Sequence, residues 1–366
     1  MFFRSHGIRL LLSAFGDAEF PIICYNDPRK KPYLSAAGRR RNGGIRMFEY
    51  LLRPGKIGTC EIRNRFVMPA MGSGHSQAGG MINEETIEYY CERARGGFGL
   101  IVAEFSGVDV EGLCSIPQFR IYSDDFIPEY RQLTDMVHSH NCNILQQLVH
   151  IGSATAHKDV DIISASAVPG PYNEQMPREM TKEDIERVTG AFADAAVRAK
   201  KAGFDGVEIH AAHKFLLSQF LSPAYNHRTD AYGASDENRA RFVAEVCMRI
   251  RESVGAEYPV FFKVNCDDGV ENGITLDGML TACRMLEEAG ASAIEISGAW
   301  MNYKQDDPYF LEHTIKAAES VHIPVVLVGG VRGKEEIEKI LSETPISYVA
   351  MARPFIANAD YMKNWG

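Results

Sequence analysis

From Met47 onward the chain alternates short, wholly apolar runs with longer stretches in which apolar side chains recur every three or four positions. A run that is apolar on both faces suits a strand covered on two sides. The three-to-four spacing suits a helix packed along one stripe, so the alternation predicts βα units around a parallel sheet. Strands are expected at 65–70, 100–105, 143–149, 206–210, 260–265, 293–297, 324–328 and 347–351. The intervening helices have readable ends. Thr181 with Asp184 three positions on is the pattern of a capping box, and Ile185, Val188, Phe192, Ala195 and Ala199 then share one face until Gly203. Asp236 opens another helix, with Val243, Val246, Ile250 and Val254 as its buried stripe and Gly255 as its stop. The repeated alternation fits a closed (β/α)8 TIM barrel of the α/β class better than an open doubly wound sheet, because no Gly-x-Gly-x-x-Gly follows the first strand. Little chain remains after Arg353, so the eighth helix is expected to be short or truncated.

Composition narrows the chemistry. With 366 residues, 45% of them hydrophobic, the chain can bury a large core, and its net charge of −9 argues against a general nucleic-acid binder. The eight cysteines include no Cys-x-x-Cys pair, so neither a zinc site nor a disulfide framework is indicated; reduced thiols in the cytoplasm are expected. No apolar run approaches the roughly 20 residues needed to span a bilayer. The start of the chain differs from the rest: residues 1–46 hold nine Lys or Arg against three Asp or Glu, including Arg39, Arg40 and Arg41. They are expected to be a non-native or disordered extension, with 47–366 forming the barrel.

In a barrel the reactive groups gather at the carboxyl ends of the strands. That rule selects Met71 after the first strand, Glu104 on the second, Gln147 and His150 on the third, His210 and His213 after the fourth, Lys263 on the fifth, Ser297 and Trp300 after the sixth, Gly329 and Gly330 after the seventh, and Arg353 after the eighth. A glycine pair followed one strand later by an arginine is what a phosphate site needs, namely open backbone N–H groups and a guanidinium fork. Many glycine pairs are only turns. The two histidines could donate to a carbonyl or phenolate-like oxygen; for a metal they lack a third ligand. Gln147 and Lys263 could equally be ion-pairing residues in the barrel mouth, and Glu104 either a base or a partner for a nearby cation.

Several stretches carry a resemblance. Gly203-Phe204-Asp205-Gly206-Val207-Glu208-Ile209-His210-Ala211-Ala212-His213, then Gln219-Phe220-Leu221-Ser222-Pro223 and Asn226-His227-Arg228-Thr229-Asp230, together with Asn64 to Met71 and Gln147-Leu148-Val149-His150, resemble the Old Yellow Enzyme family of flavin oxidoreductases. The resemblance covers nearly everything from Met47 to the end. It implies a bound FMN, with NADH or NADPH as hydride donor and a small unsaturated molecule as substrate. Pro69, Ala70 and Met71 would then run along the flavin ring, Gln147 would bond its pyrimidine edge and Lys263 would stand near N1 and O2. Gly329, Gly330 and Arg353 would hold the phosphate. His210 and His213 would grip the carbonyl oxygen of an α,β-unsaturated substrate. Assembly as a homo-oligomer is left open.

Three positions depart from the family pattern. Phe215 stands where a proton-donating tyrosine is usual, and a phenyl ring cannot donate; water or Tyr303 would have to supply the proton. Gly72 replaces a Cys or Thr that contacts the flavin, and Ser153 replaces an Arg. Trp300 and Tyr303 are expected in the pocket wall. Two other readings remain: a non-redox isomerase or aldolase using the same phosphate site with Lys263 as a Schiff-base amine, and the catalytic barrel of a longer iron-sulfur reductase of the 2,4-dienoyl-CoA type.

Overall fold

The computed structural model describes residues 48–362, apart from 115–116, 156, 158–159, 173–174 and 299–307. The extension expected at 1–46, Trp300 and Tyr303 lie outside the described residues. The chain opens with a short helix α1 (Glu49–Leu52) and an antiparallel hairpin, β1 (Gly55–Ile57) and β2 (Cys60–Ile62). Strand β3 (Phe66–Met68) then starts the barrel and is followed by α2 (Glu84–Arg95). Next come β4 (Leu100–Gly107), the short flanking β5 (Phe119–Arg120) and α3 (Ile127–His138). Strand β6 (Asn143–Val149) leads into the two-residue strands β7 (Ile163–Ser164) and β8 (Arg178–Glu179), and then α4 (Lys182–Lys201). After β9 (Gly206–Ala211) come α5 (Leu216–Leu221) and α6 (Asp236–Val254). The rest alternates strictly: β10 (Val260–Asn265), α7 (Leu276–Glu288), β11 (Ala293–Ser297), α8 (Leu311–Ser320), β12 (Val325–Val328), α9 (Lys334–Glu343), β13 (Tyr348–Ala350) and α10 (Arg353–Ala357).

The sheet closes. Its order is β3, β4, β6, β9, β10, β11, β12, β13 and back to β3, with each neighbouring pair parallel. All eight expected strands are therefore present, within two residues at either end. Local chemistry sets the helix limits. The Thr181 hydroxyl accepts from Asp184 N at 3.2 Å while the Asp184 carboxylate accepts from Thr181 N at 2.8 Å, a reciprocal cap worth about 1 kcal/mol. Helix α6 opens at Asp236 as expected, capped by the Ser235 hydroxyl, and it ends where Gly255 turns left-handed at φ 83°.

Two apolar layers hold the barrel. The outer one joins helix stripes such as Val188, Phe192, Val243 and Ile250 to the outward residues of the strands, among them Ile144, Ile209, Phe262, Ile294 and Val349. The inner one fills the barrel with Val102, Leu145, Phe261, Ala293, Val326 and Tyr348. Alternation along a strand sends neighbouring side chains to opposite layers, which is why each run reads as continuously hydrophobic. The β1–β2 hairpin seals the amino ends of the strands: Ile57, Cys60 and Ile62 join the inner layer, and Asn143 Nδ2 and Thr59 Oγ1 tie the hairpin to its surroundings at 2.5 and 2.8 Å. No helix among the described residues is long and apolar enough to cross a membrane.

Candidate active site

Above the apolar fill, the next inward positions of four adjacent strands are polar. Gln147 on β6, Glu208 on β9, Lys263 on β10 and Glu295 on β11 are all buried. Lys263 Nζ lies 2.6 Å from Glu295 Oε1 and 3.6 Å from Glu208 Oε2, and Gln147 Nε2 donates to Glu208 Oε2 at 2.5 Å. Two opposing effects set the charges here. Burial alone would strip the proton from Lys263, but the flanking carboxylates outweigh it and hold the pKa above its ordinary value. Burial pushes Glu208 up to about 7, against the pull of Lys263. An ammonium so paired is a poor nucleophile, which disfavours the Schiff-base reading.

One layer higher sit His210, Asn265 and Ser297. The His210 and His213 rings meet edge to face with centroids 4.8 Å apart, and His213 Nε2 is 2.9 Å from Ser297 Oγ. Asn265 Oδ1 accepts from His213 N at 3.2 Å. Burial drives both imidazoles toward the neutral form: His213 falls to about 3 and His210 well below its ordinary value, helped by the nearby Lys263 charge. Because His210 Nδ1 accepts from Ala212 N at 3.2 Å, its single proton belongs on Nε2, leaving that nitrogen as a donor. The half-buried Phe215 ring packs 4.8 Å from His210 and 6.3 Å from Phe105.

The remaining predicted residues fall into two groups, with His150 apart from both. After β3 the chain leaves the sheet, and residues 70–72 make no backbone hydrogen bond to any described residue. Just beyond, Glu104 anchors that loop: it accepts from Ser73 N at 3.2 Å, from Ser76 Oγ at 3.4 Å and closely from Ser73 Oγ, and burial raises its pKa to about 7. Across the mouth, Gly329 and Gly330 are both left-handed, at φ 93° and 81°, and a Cβ on Gly329 would press on Tyr309 at 3.2 Å. Arg353 is exposed at the first turn of α10, donating to Tyr309 Oη at 2.7 Å. His150 does not join the pair. Its Nδ1 accepts from Gly152 N at 3.1 Å, its ring lies against Gly112, and burial lowers its pKa to about 4.

This constellation fits an FMN. Open backbone groups at 70–72 suit the edge of a flat heterocycle, Gln147 and Lys263 supply an amide and a cation below it, and the left-handed glycine pair with Arg353 suits a phosphate. Glu208 and Glu295 were not singled out as site residues in the sequence. For the two glutamates a signal existed, since each shares strand parity with a neighbouring candidate: Glu208 with His210, Glu295 with Ser297.

Comparison with known proteins agrees with this geometry. The model of the family described as NADH:flavin oxidoreductase / NADH oxidase matches residues 50–365. An NADH oxidase of Thermoanaerobacter brockii is 38% identical over 330 residues, covering 86% of this chain and 50% of the relative. An NADPH dehydrogenase of Bacillus velezensis is 32% identical over 324 residues, covering 87% and 94%. The solved structure of an old yellow enzyme homologue from Zymomonas mobilis superposes with a TM-score of 0.78 at 26% identity, over 86% of this chain and 92% of that one. The chain spans about half the length of the first two curated relatives it matches.

Proposed function

The chain belongs to the NADH:flavin oxidoreductase / NADH oxidase family, and we propose that it is an FMN- and NAD(P)H-dependent oxidoreductase whose barrel delivers hydride to an activated carbon–carbon double bond conjugated to a carbonyl. The observation that carries this reading is the pair of neutral imidazoles at the barrel mouth, His210 with its proton on Nε2 and His213 beside Ser297. When bound, FMN takes a hydride from the nicotinamide and gives it up again.

The protein's own groups do the rest. Pro69, Ala70 and Met71 line the cofactor with backbone, Gln147 and Lys263 bond its polar edge, and Gly329, Gly330 and Arg353 hold its phosphate. His210 and His213 donate to the substrate carbonyl, where negative charge builds as hydride adds at the far carbon; preorganised donors in such a site contribute about 2.7–4 kcal/mol each. Being neutral, they need not be recharged as pH rises through the physiological range. Phe215 gives no proton, so the α-carbon takes its proton from water or from another residue such as Tyr303. The described cysteines are free thiols, which supports a reducing, cytoplasmic setting.

An absorbance spectrum of the purified protein, before and after anaerobic NADH and NADPH, tests the reading. Flavin bands that bleach with one of the two and return on adding an enone are expected. A folded protein that takes up no flavin from excess FMN would overturn it.

A further inference from the structure

Lys214 follows His213 directly, and both are left-handed, at φ 58° and 59°. Side chains with a Cβ avoid that region, so two in succession mean that the surroundings impose the turn. The turn tucks Lys214 inward, leaving it only 7% exposed. Its ammonium lies 5.5 Å from the centre of the Tyr172 ring. Tyr172 donates its hydroxyl to the His213 carbonyl at 3.1 Å and, like Phe105 and Phe215, packs against the buried Val149, Ile151 and Ala154.

What Lys214 lacks is an anion. Its side chain makes no hydrogen bond or ion pair with any described residue. Asp267 and Asp268 are close enough to raise its pKa against the larger effect of burial, yet neither reaches ion-pair distance. Asp268 directs its own carboxylate to Asn265 Nδ2 and Ile274 N, both at 2.6 Å. The lysine charge is also felt at His213, where it helps depress the imidazole pKa. The residue is largely buried while its charge is only partly offset by Asp268 and Asp267, and an arriving anion completes that pairing.

We propose that Lys214 is a specificity-determining residue that binds a carboxylate of the substrate, so that the preferred substrate is an enone or enoyl compound carrying an acid group a few bonds from the double bond. The inference rests on the hydride-transfer reading above. Polarisation by His210 and His213 acts on the carbonyl, whereas Lys214 acts at a second point and fixes which way round the molecule lies. Tyr172, against the lysine on one side and bonded to the His213 backbone on the other, keeps the two points at a constant separation.

The test uses the FMN-loaded protein with 5-oxohex-3-enoate and its methyl ester, which differ by one negative charge. The ratio of kcat/KM for acid over ester is expected to fall at least tenfold in Lys214→Met and to be largely restored in Lys214→Arg. Intrinsic reactivity differences between acid and ester cancel, because the same pair is compared in each protein. If Lys214→Met does not fold, inhibition of the wild type by 5-oxohexanoate is expected to be at least tenfold stronger than by its methyl ester. Flavin absorbance and its bleaching by NADH and NADPH are followed in the same samples. Intact bleaching with an unchanged acid-to-ester ratio, or equal inhibition by the two saturated compounds, overturns the role of Lys214 alone. A variant that raises the KM for NADPH while keeping its acid preference assigns the anion to the dinucleotide and overturns the proposal as well. A protein that holds no flavin overturns the hydride-transfer reading, and this inference with it.

Discussion

Two side chains on strand β10 mark the contrast inside this barrel. Phe261 and Lys263 point inward two positions apart, one into a wholly apolar layer with Leu145 and Tyr348, the other into a set of charges with Glu208 and Glu295. The lower layer gains from every methylene it hides, at about 25 cal/mol per Å2. The upper one gains little or nothing on balance, since desolvating three ionisable groups offsets most of their mutual attraction. A fold does not need the upper layer. It lies beneath the histidine pair, so apolar fill and buried charge succeed each other along single strands.

Breaking the lower layer has the largest expected effect. Phe261→Ala should lower unfolding free energy by about 3–5 kcal/mol, read from denaturant midpoints, while the protein that remains folded still turns over its alkene. If that substitution instead abolished chemistry without loss of stability, the two layers would not be separable. Next comes His210→Ala above the charges. Alkene turnover should drop roughly a hundredfold or more while flavin reduction by NAD(P)H continues, a split visible in stopped-flow traces of the two half-reactions. Equal loss in both would make His210 a structural residue.

The smallest effect concerns Glu104, the carboxyl that ties the first loop down. Its pKa in the folded protein, about 7, lies above the ordinary carboxylate value. Stability from this group is therefore fully present below the ordinary value and is lost as pH rises through about 7. Glu104→Gln carries no such dependence. Relative to wild type the variant should gain about 2–3 kcal/mol between mildly acidic and mildly alkaline pH, measured as the difference in urea midpoints at the two ends. A constant difference would place the Glu104 pKa in its usual range.

The barrel strands were legible because both layers are apolar along most of their length, so each one stands out as an uninterrupted run. The hairpin β1–β2 and the pair β7–β8 were not legible, being three and two residues long, too short for alternation to register. The site was legible in outline: strand-end position picked out His210, His213, Gln147 and Lys263, which the structure brings together, and His150, which it turns away. What sequence could not convey was partnership. Lys263 offers the same letter whether its ammonium faces a ligand or two carboxylates. The left-handed turn at His213 and Lys214 also had no signal, because glycine, the usual marker of such a backbone, is absent from it.

The hairpin under the barrel has a consequence for the charges above it. With Ile57, Cys60 and Ile62 built into the apolar fill at the amino ends, the buried Glu208, Lys263 and Glu295 are separated from that end of the barrel by a layer without charge.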